Sequence, residues 1–133
     1  MKLNKAIIHT DGGAVPNPGP AAIGATIKNE QGELLASISE AIGYATNNQA
    51  EYRALIAALE KAIGLGINRA DIRSDSELVV RQINGKYRVK NASLKPLYQQ
   101  VKQLQSQLTG FSIVHVPREQ NKEADNLAST ALR

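Results

Sequence analysis

What most constrains this chain is a change of period near residue 45. Before it, apolar residues come in short runs of strand character: KAIIHTD (5–11), AAIGATIKN (21–29) and a third over roughly 33–43, entered through a Gly-Glu hairpin turn. After it, the spacing becomes helical. Within NNQAEYRALIAALEKAIGLG (47–66), Ala50, Ala54, Ala57, Ala58 and Ile63 recur at the 3.6-residue period, with Thr46 or Asn47 as N-cap and Gly64 or Gly66 as stop. A strand (70–76), a short helix (77–85) and a basic loop, GKYRVKN, follow. Leu94, Leu97, Tyr98, Val101, Leu104 and Leu108 then form one stripe over 93–108, with Pro96 fitting the first turn. A strand (110–117) and a helix (121–133) complete the order βββαβααβα. Three strands in succession predict an antiparallel meander. Right-handed crossovers place the fourth strand parallel to the first and beside it. The expectation is a mixed-sheet α/β domain covering 1–133, a length that suits one core.

Composition narrows the chemistry. There is no cysteine, so disulfides and thiolate metal sites are excluded, and a metal must use oxygen or imidazole ligands. No apolar run is long enough to cross a bilayer, and the N-terminus lacks the apolar region of a signal peptide. The expectation is a cytoplasmic monomer with no membrane partner. The net charge of +4 is unevenly spread. Residues 78–118 hold no Asp or Glu but carry Arg81, Lys86, Arg88, Lys90, Lys95, Lys102 and Arg118. Such a one-signed segment is either a solvated basic face or a footprint for phosphates.

Four carboxylates stand where a core would not place them. Asp11 and Asp75 each close an apolar strand run, and parallel neighbouring strands would bring both to the C-terminal edge of the sheet. Glu51 shares a helical face with Leu55, Ala58 and Ala62, and Asp125 with Ala128 and Leu132. Taken singly, each has an ordinary reading as a turn, cap or surface residue; Asp75 could N-cap the next helix. Together they imply convergence. Carboxylates brought together repel and lose hydration, so they need a counter-charge. Hard divalent cations supply it and prefer oxygen ligands. Four carboxylates suggest a pair of ions about 4 Å apart, the arrangement used to cleave phosphodiesters.

The segments TDGGAVPNPGPAAIGATI, TNNQAEYRALIAAL, IRSDSELVVRQING and VPREQNKEADNLA resemble, in order and over nearly the whole chain, the motifs of type 1 ribonuclease H. The resemblance implies a ribonuclease H-like fold: a five-stranded mixed sheet in the order 3-2-1-4-5 with helices on both faces. It implies cleavage of the RNA strand of RNA–DNA hybrids to 5′-phosphate and 3′-hydroxyl ends. Double-stranded RNA is left open as a further substrate. Two Mg²⁺ ions are implied, with Mn²⁺ as an alternative, held by Asp11, Glu51, Asp75 and Asp125. Gly12, Asn17, Thr46, Asn47, Asn48, Gln49 and Ser76 fall on substrate positions; amides there reach 2′-hydroxyls and base edges without committing to a sequence. Glu77 departs from the Gln common after Ser76.

Two further departures matter. Many relatives carry a histidine in a flexible loop before the last helix, whereas this loop is a short PREQN and the two histidines, His9 and His115, lie in strand segments. Arg118 stands in the loop instead and is assigned a catalytic, phosphate-holding role. Relatives also insert a long basic helix, which is replaced here by the loop bearing Lys86, Arg88 and Lys90, with Tyr87 free to stack on a sugar or base. Two other readings remain: a nucleic-acid-binding module with an inactive site, and a different two-metal nuclease or integrase on the same fold.

Overall fold

The computed structural model describes residues 4–132. Of the segments expected from sequence, Arg133 at the end of the last helix and residues 1–3 of the domain lie outside the described residues. The strands are β1 (Lys5–Ala14), β2 (Gly19–Lys28), β3 (Leu34–Ala45), β4 (Arg69–Ser74) and β5 (Gly110–His115). The helices are α1 (Asn47–Gly64), α2 (Glu77–Ile83), α3 (Lys95–Gln105) and α4 (Lys122–Ala131), with a 3₁₀ turn at Arg118–Gln120. The sheet order is β3-β2-β1-β4-β5. β1 pairs antiparallel with β2 and parallel with β4, as expected from the meander and the crossover.

Alternation along β1 buries Ala6, Ile8 and Thr10 on one face. Ile8, Ile27, Leu55, Leu59 and Ile72 are fully buried in one core cluster. Each contributes about 1.5–3 kcal/mol by leaving water. The stripe predicted for α3 packs on this core through Val101 and the partly buried Leu97, Tyr98 and Leu104.

Two glycines let helices approach opposite faces. A Cβ at Gly12 would overlap the Ala50 carbonyl of α1. A Cβ at Gly24 would overlap the Ala124 carbonyl of α4. Gly12 pairs with Ile23 and Gly24 with Asp11, so the two glycines face opposite ways. α4 therefore crosses the sheet beside Asp11. Gly24→Ala forces that helix outward. We expect a loss of about 1–3 kcal/mol in urea unfolding, with the packing of α1 unaffected. An unchanged midpoint would show that α4 gives way freely.

Element bounds depart from the sequence expectation in three informative places. β1 runs on to Ala14 rather than closing at Asp11, because its antiparallel ladder with β2 extends to the pair Ala14 and Ala21. The parallel ladder with β4 stops at Thr10 and Ser74. Asp11 is thus the first β1 residue past the end of β4, and Asp75 lies just beyond β4. α4 closes at Ala131, and Leu132 is its C-cap, on the side of Asp125 and Ala128 but 37% exposed rather than buried.

Candidate active site

The four carboxylates come from four elements. Asp11 is on β1, Glu51 in the second turn of α1, Asp75 in the bend between β4 and α2, and Asp125 in the first turn of α4. One carboxylate oxygen from each of Asp11, Glu51 and Asp75 lies within 4.8 Å of the others. All four line one cleft of about 480 Å³, together with Gly12, Asn47, Asn48, Arg118, Ser129 and Leu132.

Local structure fixes each ligand. Thr46 caps α1 through a capping box: its hydroxyl accepts from the Gln49 N–H at 3.1 Å, and its own N–H donates to Gln49 Oε1 at 2.8 Å. This sets the start of the helix that carries Glu51. The Gly12 N–H donates to Glu51 Oε1 at 3.0 Å. Ser76, not Asp75, is the N-cap of α2, accepting from the Val79 N–H at 3.4 Å. Asp75 is thereby left free to face the cleft.

Electrostatics record the crowding. Burial, then the charges of Asp75 and Asp125, push the Asp11 carboxyl up to about 8. Burial and the charges of Asp11 and Asp75 also hold Glu51 well above the usual carboxylate range, against the opposing Gly12 N–H. A set of oxygen donors that resist ionising together suits a hard divalent cation, whose charge reverses the penalty.

The substrate residues expected from sequence divide into groups. Asn17, Thr46, Asn47 and Asn48 line a second hollow with Pro18, Asn91 and Leu94, beside the carboxylate cleft. Within it, Asn17 Oδ1 accepts from the Asn47 N–H at 3.0 Å, and Asn47 Oδ1 accepts from the Ala14 N–H at 2.8 Å. Both amides thus keep their NH₂ donors for a ligand. Gln49 and Ser76 spend their side chains on caps and line neither hollow. Lys86, Arg88 and Lys90 are exposed and also stand outside the carboxylate cleft. Tyr87 packs under the Arg81 guanidinium, 5.4 Å from its ring centroid. Arg118 Nη2 lies 3.7 Å from Asp125 Oδ2 rather than pairing with Glu119 or Glu123; Glu123 instead takes Lys28 at 2.7 Å. His115 is exposed at the end of β5 and does not line the cleft. His9 is half-buried, and burial with the Arg73 charge lowers its pKa.

Two residues that sequence reasoning passed over shape the site. Gly24 admits α4. Its signal was an isolated glycine inside a strand pattern, which marks a close backbone approach. Asn121 is the other; its buried amide donates to the Thr10 carbonyl at 2.9 Å.

A sheet in this order with carboxylates at the C-terminal edge of its parallel strands defines a ribonuclease H-like nuclease scaffold, and known proteins agree. Residues 9–131 match the family described as "Reverse transcriptase-like". The chain is 43% identical to ribonuclease HI of Halobacterium salinarum over 93% of its own length and 62% of that protein. The N-terminal RNase H domain of a Mycobacterium tuberculosis protein superposes with a TM-score of 0.94 at 45% identity, covering 97% of this chain and 99% of that one. LC11-RNase H1, solved with an RNA/DNA hybrid, gives 0.91 at 43% identity over 96% of both chains. The chain belongs to the type 1 ribonuclease H family. It spans 35% of the length of the bifunctional M. tuberculosis protein that it matches.

Proposed function

We propose that this protein is an endonuclease that hydrolyses the RNA strand of RNA–DNA hybrids, leaving 5′-phosphate and 3′-hydroxyl ends, as a cytoplasmic monomer. The observation that carries the reading is the convergence of Asp11, Glu51 and Asp75 within 4.8 Å, beside a hollow lined by amide side chains. LC11-RNase H1, 43% identical, takes such a hybrid. No helix among the described residues is long and apolar enough to cross a membrane.

Asp11, Glu51, Asp75 and Asp125 would hold two Mg²⁺ ions, or Mn²⁺. Bound there, such ions supply Lewis acidity that activates water and stabilises the leaving oxygen. The chain's own residues do the rest. Asn17, Asn47 and Asn48 present amide donors toward the minor groove and its 2′-hydroxyls, which distinguishes RNA from DNA. Thr46, through its backbone and cap, orients this set. Arg118 reaches the phosphate with the planar fork of donors of its guanidinium. Lys86, Arg88 and Lys90 hold the partner strand's backbone electrostatically.

The test is cleavage of a labelled hybrid with Mg²⁺, with Mn²⁺ and with EDTA, run beside DNA duplex and double-stranded RNA. Metal-dependent cutting of the hybrid's RNA strand alone is expected. Binding without cutting would leave a binding module, and cutting of DNA duplex would point to another nuclease. Neutralising Lys86, Arg88 and Lys90 together is expected to raise KM and leave kcat nearly unchanged. The log–log salt slope of hybrid binding should fall by about 0.9 for each phosphate that these side chains no longer neutralise. An unchanged slope would reduce the three to a solvated loop.

A further inference from the structure

Asn121 occupies the N-cap position of α4, where an asparagine side chain ordinarily accepts a hydrogen bond from the first turn. It makes no such bond. Instead the side chain, 1% exposed, turns to the sheet and donates through Nδ2 to the Thr10 carbonyl at 2.9 Å, across 111 residues of sequence. That carbonyl belongs to the peptide whose nitrogen is Asp11's. Thr10 is also the last β1 residue paired with β4, so the sheet supplies no further rung on that side. The backbone of the same residue works in the other direction. The Asn121 carbonyl accepts from the Asp125 N–H at 3.1 Å, closing the first turn of α4. One residue thus grips the peptide before Asp11 with its side chain and the turn bearing Asp125 with its backbone.

We propose that Asn121 is a positioning residue that sets the placement of Asp125 relative to Asp11 and so tunes divalent-ion affinity. The inference rests on the metal-dependent reading of the site. The amide orientation is dictated by its partner, because a carbonyl only accepts and the side-chain donor must face it. The bond is buried, so no water replaces it when it is removed, and the Thr10 carbonyl is left unsatisfied. A residue that orients a ligand without touching the ion typically changes affinity by 10- to 100-fold.

The experiment is a double-mutant cycle read by Mn²⁺ affinity, measured by titration calorimetry on the folded protein without substrate. Asn121→Ala leaves a small void and Asn121→Leu fills it; both remove the donor. Each is made in the parent and in the Asp125→Asn background, with melts in EDTA to verify folding. We expect about tenfold weaker Mn²⁺ binding from either change in the parent. In the Asp125→Asn background, where the carboxylate to be placed is gone, the further loss should be less than twofold. Hybrid cleavage should show a lowered kcat with KM unchanged. Equal loss in both backgrounds, or no loss in the parent, overturns the proposal. So does unfolding of both variants, which would make Asn121 a folding residue. Failure of the parent itself to bind Mn²⁺ would instead overturn the metal reading of the site.

Discussion

Asp11→Asn abolishes metal-dependent cleavage of a hybrid, by at least about a thousandfold or roughly 4 kcal/mol of barrier, and leaves a metal-free protein that melts higher than the parent at pH 8. Both results follow from the crowding at the site. In the unfolded chain, an aspartate gives up its proton near pH 4. In the folded, metal-free protein, burial and the charges of Asp75 and Asp125 raise Asp11 to about 8. The folded state therefore binds the proton more tightly. Stability from this group is fully present below pH 4 and is lost progressively as pH rises toward 8. Glu51 shifts in the same direction and adds to the slope. Asparagine has no such proton to lose, so the variant's melting temperature should fall less steeply between pH 4 and 8. Divalent metal reverses the order: it stabilises the ionised cluster, so the parent gains melting temperature on adding Mg²⁺ at pH 8 and the variant gains less. Melts at pH 5 and 8, with and without Mg²⁺, beside cleavage rates, decide the matter. A folded variant with near-parental cleavage would remove Asp11 from the site.

The architecture was legible because its signals are local. The switch from strand runs to the 3.6-residue period in NNQAEYRALIAAL needs no knowledge of distant contacts, and it placed Glu51 on the face of Leu55, Ala58 and Ala62, which are buried as the pattern required. Asp75 was legible for the same reason, since it follows the short alternating strand segment RADIRS. The end of β1 was not. The apolar run closes at Asp11 in sequence, yet β2 carries the antiparallel pairing through Gly12 and Gly13 to Ala14, past the point where β4 leaves. A strand with partners of unequal length has two ends, and the bound expected at Asp11 is neither of them: the β4 ladder stops at Thr10 and the β2 ladder at Ala14. Gly24 and Asn121 were hidden more deeply, because the roles of both are tertiary. An isolated strand glycine signals a close approach without naming what approaches, and nothing in the sequence of the last helix, expected to begin at Asn121, says that this side chain reaches Thr10. Leu132 misled only in its burial: as the C-cap of α4 it keeps helical backbone angles and lines the cleft with Asp125 and Ala128, but it is exposed there.

Arg118→Ala should lower single-turnover kcat by about tenfold, equivalent to about 1.4 kcal/mol of barrier, while His115→Ala changes it little. The two residues flank the end of the last strand, and the structure separates them. His115 closes β5, is exposed and stands outside the cleft. Arg118 opens the 3₁₀ turn that follows, and its side chain lines the cleft with Asp11, Glu51, Asp75 and Asp125. The contribution expected of its guanidinium is charge and geometry: two parallel donors that match a phosphate. The ion pair with Asp125, 3.7 Å long with the arginine side chain 77% exposed, contributes little to stability and leaves the guanidinium free to turn toward a phosphate. The melting temperature of Arg118→Ala should therefore match the parent's, which separates this role from a structural one. Arg118→Lys keeps the charge but loses the planar fork, and an intermediate rate is expected. A large loss for His115→Ala with none for Arg118→Ala would reverse the assignment and make the strand-end imidazole, not the loop guanidinium, the group that serves the phosphate.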